Sequence, residues 1–252
     1  MDQKPTIAQV FSPVQLFVGG IVSGILVLCT IGFFIMLGMY LKGDNTYARN
    51  TGTNPAPSVV AGPVGEEEPT NVTVRPVDTK TDHIRGNKNA KVSIVTFTDY
   101  ECPFCKRFHG TMQEVMAKFN DDVRWVYRQL PLDSLHSQAR KEALASECAA
   151  EQGKFWEWTD LIFSETTSND GLDLGKLPTY AGQVGLNVNK FNDCVNTAKY
   201  AAKVQADEAD AQAAGARGTP YSVVIGPNGE TRVISGAYPA ANVEAVLREF
   251  VK

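Results

Sequence analysis

The chain has 252 residues, 43% of them apolar and 21% charged, with a formal net charge of −4. That is enough apolar material for a full core in one or two domains. No basic stripe runs through it and its acidic residues are dispersed apart from Glu66-Glu67-Glu68, which argues against a nucleic-acid binder and against an acidic tail.

The first element is apolar. Leu16 to Leu41 carries no charge over 26 residues, which as a helix is roughly 39 Å long, against the ~30 Å hydrocarbon core of a bilayer. The run is too long for an ordinary signal-peptide core and no A-x-A-like site closes it, so the expectation is a retained transmembrane helix over 16–41. Lys4 precedes it while Lys42 and Arg49 follow, so charge alone does not orient it. Gly20 and Gly24 form a GxxxG spacing, and Cys29 reads as a small apolar residue within the span. From 42 to 82 Gly, Pro, Asn and Thr dominate and no apolar period survives, which predicts a flexible linker of roughly 35 Å r.m.s. reach.

Lys91 to Thr98 is short, apolar and β-branched, and predicts a buried strand. Phe104, Phe108, Met112, Val115, Met116 and Phe119 return at helical spacing, and Val123 to Leu130 reads as the next strand, so the three form a parallel βαβ unit. Some eighty helical residues follow: Ser137–Gln152, Lys154–Phe163, Leu172–Val184, Asn189–Thr197 and Lys199–Ala214. Tyr221–Ile225 and Thr231–Ser235 flank an Asn228-Gly229 turn and predict a hairpin, and Ala240–Val251 predicts a closing amphipathic helix. The order βαβ, helical block, ββα fits one α/β sheet interrupted by helices, because neither flanking piece can bury a core alone.

Two of the five cysteines, Cys102 and Cys105, fall where the first predicted strand meets its helix. Pro103 suits the first helical position, and the helix N-terminus there favours a thiolate at Cys102. Cys105, one turn inward, is placed to attack a mixed disulfide formed at Cys102. A turn disulfide or a metal site remain alternatives. His109 could be a third metal ligand, although no fourth falls at a useful spacing. His83, His109 and His136 read as surface or capping residues and the tryptophans as packing, while Asp99 reads equally well as an electrostatic influence on the thiol pair and as a strand-end turn residue.

The stretch DHIRGNKNAKVSIVTFTDYECPFCKRF (82–108), with the Ala-rich helix that carries Cys148, EQGKFWEWTDLIF (151–163) and GTPYSVVIGPNG (218–229), resembles DsbA-like proteins of the thioredoxin superfamily. The resemblance implies a thioredoxin-like fold with an inserted all-helical domain, placed here over 83–252 with the insertion at about 133–215. It implies Cys102 as nucleophile, Cys105 as resolving thiol, Pro220 as a cis-proline beside them, and the Thr219 backbone as a contact for extended substrate. It also implies a structural disulfide between Cys148 and Cys194, which would close a loop worth about 4 kcal/mol on the chain-entropy model.

The implied activity is thiol–disulfide oxidoreduction, in the oxidising direction on cysteines of unfolded secreted proteins, with no metal or organic cofactor and with a membrane redox partner. Reduction or isomerisation by the same pair is the nearest alternative, and a membrane-tethered binding module the next. Disulfide chemistry places residues 43–252 outside the cytoplasm and 1–15 within it, on a single-pass anchor in a bacterial envelope. The best-known members have His where this chain has Phe104. That exchange, with Glu101 beside Cys102, leads to the expectation of a couple less oxidising than the strongest of them.

Overall fold

A computed structural model of the chain describes residues 26, 28–34 and 72–251. The chain divides into two compact units, Met1–Val59 and Val60–Lys252. In the first, residues 26 and 28–34 are helical and expose Leu26, Leu28, Ile31, Phe33 and Phe34. The rest of the span expected over 16–41, the segment 1–15 and residues 42–71 lie outside the described residues. Among the described residues no helix is long and apolar enough to cross a membrane.

The second unit runs β1 (His83–Gly86), β2 (Val92–Thr98), α1 (Pro103–Phe119), β3 (Val123–Gln129), α2 (Ala139–Ala150), α3 (Phe155–Glu165), a 3-10 turn (Leu174–Lys176), α4 (Leu177–Gln183), α5 (Val188–Asn196), α6 (Ala201–Ala213), β4 (Tyr221–Ile225), β5 (Thr231–Ser235) and α7 (Ala240–Arg248). The strands form one sheet in the order β1-β3-β2-β4-β5. As the βαβ reading requires, β2 and β3 are parallel, with Ile94 opposite Trp125. The hairpin pairs Val223 with Val233, and β4 lies antiparallel to β2. Strand β1, four residues long and antiparallel to β3, was not evident in the apolar pattern because every one of its residues is only half-buried.

All seven residues of β2 are buried, because helices cover both sides of the sheet. Val92 and Ile94 pack with Met112 of α1 and Val243 and Leu247 of α7. Val95 and Phe97, pointing the other way, pack with Ala211 of α6. Helix α6, predicted as the end of the insertion, is therefore also a wall of the sheet. The insertion's own core joins α2 to α5 through residues such as Trp158, Ile162, Tyr180 and Phe191. The Cys148–Cys194 disulfide ties α2 to α5.

Residues 72–82, expected to be tether, lie against the domain. Val72, Val74 and Val77 pack on the core beside α6. The fully buried Arg128 side chain explains this docking: its guanidinium pairs with Asp82 at 2.8 Å and Asp210 at 2.5 Å, and donates to the carbonyls of Arg75 and Pro76. Composition could not show this, because the segment is held by one buried cation rather than by an apolar period. Removing one partner of a buried pair leaves an uncompensated charge, at a cost of about 3 kcal/mol. Asp82→Ala is expected to lose about that much stability in urea unfolding; a loss of a few tenths would show that the contact contributes nothing.

Candidate active site

Cys102 is the N-cap of α1, in extended conformation, and Pro103 occupies the first turn. No side chain caps this helix. Its first N–H groups are therefore free to meet the sulfur, since the leading donors of a helix have no partner inside it. Cys102 keeps 5% of its surface exposed and Cys105 only 1%, so the first is the more accessible sulfur. Both are free thiols. The Thr219–Pro220 bond is cis, and the Thr219 carbonyl accepts the Cys102 thiol at 3.4 Å. All four residues named from the sequence for this site thus come together.

The two thiols differ sharply. Cys102 is drawn down to about 6, first by the Cys105 thiol, which offsets the opposing effect of burial, and then by Thr219 and the N–H groups of Cys105 and Phe104. Cys105 is pushed well above its ordinary value by burial and by the neighbouring sulfur. Behind it Thr96, Phe108, Trp125 and Tyr127 leave no cavity large enough for a water. Such a pair exposes one ready thiolate and conceals one thiol. Phe104 is 53% exposed with the Arg107 guanidinium 5.1 Å from its ring centroid, so the surface beside Cys102 is apolar.

The three histidines are not loose surface groups. His83 pairs with Glu147 at 2.8 Å and His109 with Asp160 at 2.7 Å. His136 pairs with Asp99 at 2.9 Å. Asp99 is more than a turn residue: its carboxylate accepts from the backbone of Glu101 and Leu132, and its carbonyl from Cys102 N–H. Only ion pairing across distant segments reveals these roles, and the local pattern carries no signal of it. Among the described residues no cluster of metal-ligating side chains occurs.

A five-stranded mixed sheet of this order, with a CxxC at the start of α1 and a cis-proline before β4, defines a thioredoxin-fold protein. The Thioredoxin family model matches residues 78–232, and the chain belongs to that family. Its structure is similar to that of BdbD from Bacillus subtilis, with 21% identity, 71% of this chain and 97% of the other covered, and a TM-score of 0.60. It is also similar to a thioredoxin-like oxidoreductase from Silicibacter pomeroyi, at 24% identity, 68% and 92% coverage and a TM-score of 0.59. Pseudomonas aeruginosa DsbA2 is similar at 23% identity, 69% and 95% coverage and a TM-score of 0.57. Among curated sequences it is 38% identical over 172 residues to the Na(+)/H(+) antiporter NhaA of Herminiimonas arsenicoxydans, covering 68% of this chain and 26% of the relative. Antiporter NhaA 1 of Mycolicibacterium gilvum is 39% identical over 155 residues, 61% of this chain and 25% of the relative. The chain thus spans about a quarter of the length of these curated relatives.

Glu101, expected to oppose the Cys102 thiolate if turned inward, is fully buried but otherwise engaged. Its carboxylate accepts from Thr166 Oγ1, Gly171 N and Leu172 N, and so holds the loop that carries the left-handed residues Ser168, Asn169 and Asp170. Beside it Glu142 of α2 is 1% exposed, and both of its carboxyl oxygens lack a donor. Burial, and then the neighbouring Glu101 carboxylate, push Glu142 up to about 10. It is therefore the neutral acid at physiological pH. The folded state holds a proton that the unfolded chain releases near 4.5, so this stability is complete below that pH and is lost as pH rises towards 10. The slope is at most about 1.4 kcal/mol per pH unit. Glu142→Gln is expected to flatten the dependence of urea stability on pH between about 6 and 9; an unchanged slope would contradict the assignment.

Proposed function

We propose that this chain is a membrane-anchored, extracytoplasmic thiol–disulfide oxidoreductase that oxidises cysteines of secreted proteins. The observation that carries this is the asymmetric pair: Cys102 drawn down to about 6 at an uncapped helix start, over a Cys105 that burial pushes far up. In the oxidising step a substrate thiolate attacks Cys102 Sγ of the Cys102–Cys105 disulfide. The bond between the two enzyme sulfurs breaks, and Cys105 leaves and takes up a proton. A second substrate thiolate then attacks the substrate sulfur of the mixed disulfide and Cys102 leaves as a thiolate. A low leaving-group pKa speeds that departure and favours the enzyme's reduced form, which makes the couple oxidising.

The Thr219 carbonyl lies 3.4 Å from Cys102 Sγ, which supports the reading that an extended substrate segment meets the Thr219 backbone, and exposed Phe104 suits an apolar, unfolded one. The Cys148–Cys194 disulfide supports an oxidising compartment, where such bonds persist. The uncharged run over 16–41 supports a single-pass anchor, with a membrane redox partner returning the pair to the disulfide.

The test uses the oxidised full-length chain and a reduced, unfolded protein with two cysteines. Loss of substrate thiols is expected at one disulfide per enzyme, abolished in Cys102→Ser; reduced Cys105→Ser, mixed instead with the disulfide form of the substrate, should accumulate a mixed disulfide on Cys102 as a substrate thiolate leaves. Unchanged oxidation by Cys102→Ser would refute the reading. Equilibration of the pair with glutathione fixes the direction: a potential at or below about −270 mV would mark a reductant instead.

A further inference from the structure

Asp99 and His136 form a buried ion pair on the turn that delivers Cys102. Asp99 is 1% exposed and His136 6% exposed. Asp99 Oδ2 meets His136 Nδ1 at 2.9 Å and Leu132 N at 2.8 Å, while Oδ1 takes Glu101 N at 2.8 Å. The Asp99 carbonyl accepts Cys102 N–H at 3.3 Å, so the pair is joined directly to the nucleophile's backbone. A buried carboxylate is tolerated when a charge or several donors meet it. Leu135, next to His136, is 70% exposed, so the loop holding the ring borders solvent and a proton can reach it.

The charges around the ring favour its protonated form. Burial opposes it, but the Asp99 carboxylate, the Cys102 sulfur and Asp170 of the loop after α3 outweigh burial and raise the ring's pKa. Burial raises Asp99 in turn, against the donors from His136, Leu132 and Glu101. Glu142 on α2 and Asp170 are the further acidic groups facing this cluster. Between the two cysteines Phe104 offers no charge, and the nearby cations of α1 are engaged elsewhere: Lys106 Nζ donates to the Thr166 carbonyl at 2.5 Å and the Arg107 guanidinium lies over the Phe104 ring.

We propose that His136 is a positioning residue that supplies a counter-charge to the Cys102 thiolate and binds a proton more tightly whenever the Cys102–Cys105 disulfide is reduced. The proposal rests on these cysteines being an exchanging pair. The balance is then complete. A substrate dithiol gives up two electrons and two protons as it becomes a disulfide. The enzyme disulfide takes both electrons and Cys105 takes one proton; Cys102 stays a thiolate, and the other proton is divided between the His136 ring and solvent, the ring's share being at most about half for a tenfold rise in its affinity. Reoxidation releases both protons.

The chain has three histidines, so few ring signals compete with that of His136 in NMR titration of the full-length chain in detergent. His136 is expected to titrate about one pH unit higher in the dithiol form than in the disulfide form, a tenfold difference in proton affinity. Equal His136 titration in both forms would overturn the proposal even in a fully active enzyme. A normal His136 shift without substrate oxidation would instead refute the exchange reading. His136→Gln keeps a donor for Asp99 but removes the charge, and should raise the Cys102 thiolate titration by about one unit. His136→Lys should restore it, and failure of both variants to move it would equally overturn the proposal. If a variant does not fold, the titration of the unmodified chain still decides.

Discussion

The N-terminus of α1 lacks a side-chain cap, and the chemistry of the domain depends on that omission. Helices usually meet their leading N–H groups with Ser, Thr, Asp or Asn, typically for about 1 kcal/mol. Here the position belongs to Cys102, whose sulfur meets the N–H groups of Phe104 and Cys105 best when it is ionised. A structural need of the helix and a chemical state of the thiol are thereby the same interaction. Pro103 fits because its missing N–H is one of the donors that would otherwise go unmet.

That helix start lies where the sheet meets the inserted helices. Cys102 and Cys105 share an apolar cluster with Tyr100 and Tyr127 from the sheet side and with Trp158, Ile162 and Phe163 of α3. Dry packing behind Cys105 favours its protonated thiol, which leaves Cys102 the more readily ionised of the two. Around the seam, charges are met in pairs across elements: Asp99 with His136, His109 with Asp160, and Glu101 with the backbone of the 166–172 loop. The insertion thus supplies partners for residues of the turn that presents Cys102. Its Cys148–Cys194 bond secures the helices behind them.

The apolar periods made most of the architecture legible: the βαβ unit, the hairpin and the helical block are read directly from spacing. CPFC with the distant Thr219-Pro220 made the reactive pair legible too. Charged partners were hidden. Glu142 and Glu147 on the Ala-rich α2 are both buried, because their neighbours come from elsewhere in the chain, which the local pattern does not show. Strand β1 and residues 72–82 are held by pairing to β3 and by Arg128, neither of which leaves a local pattern. The 166–172 loop was invisible for the same reason: three successive left-handed residues without glycine are stable only because Glu101, Lys106 and its own contacts to Ser137 and Gln138 fix them.

If the thiolate is the true cap of α1, its ionisation should be visible directly. Thiolate absorbance of the reduced full-length chain, followed against pH with Cys102→Ser as the blank, isolates this one sulfur. The expected midpoint is about 6, well below an ordinary thiol. A midpoint near the ordinary cysteine value of about 8.5 would mean that the helix start does not hold the thiolate, and would contradict the central claim.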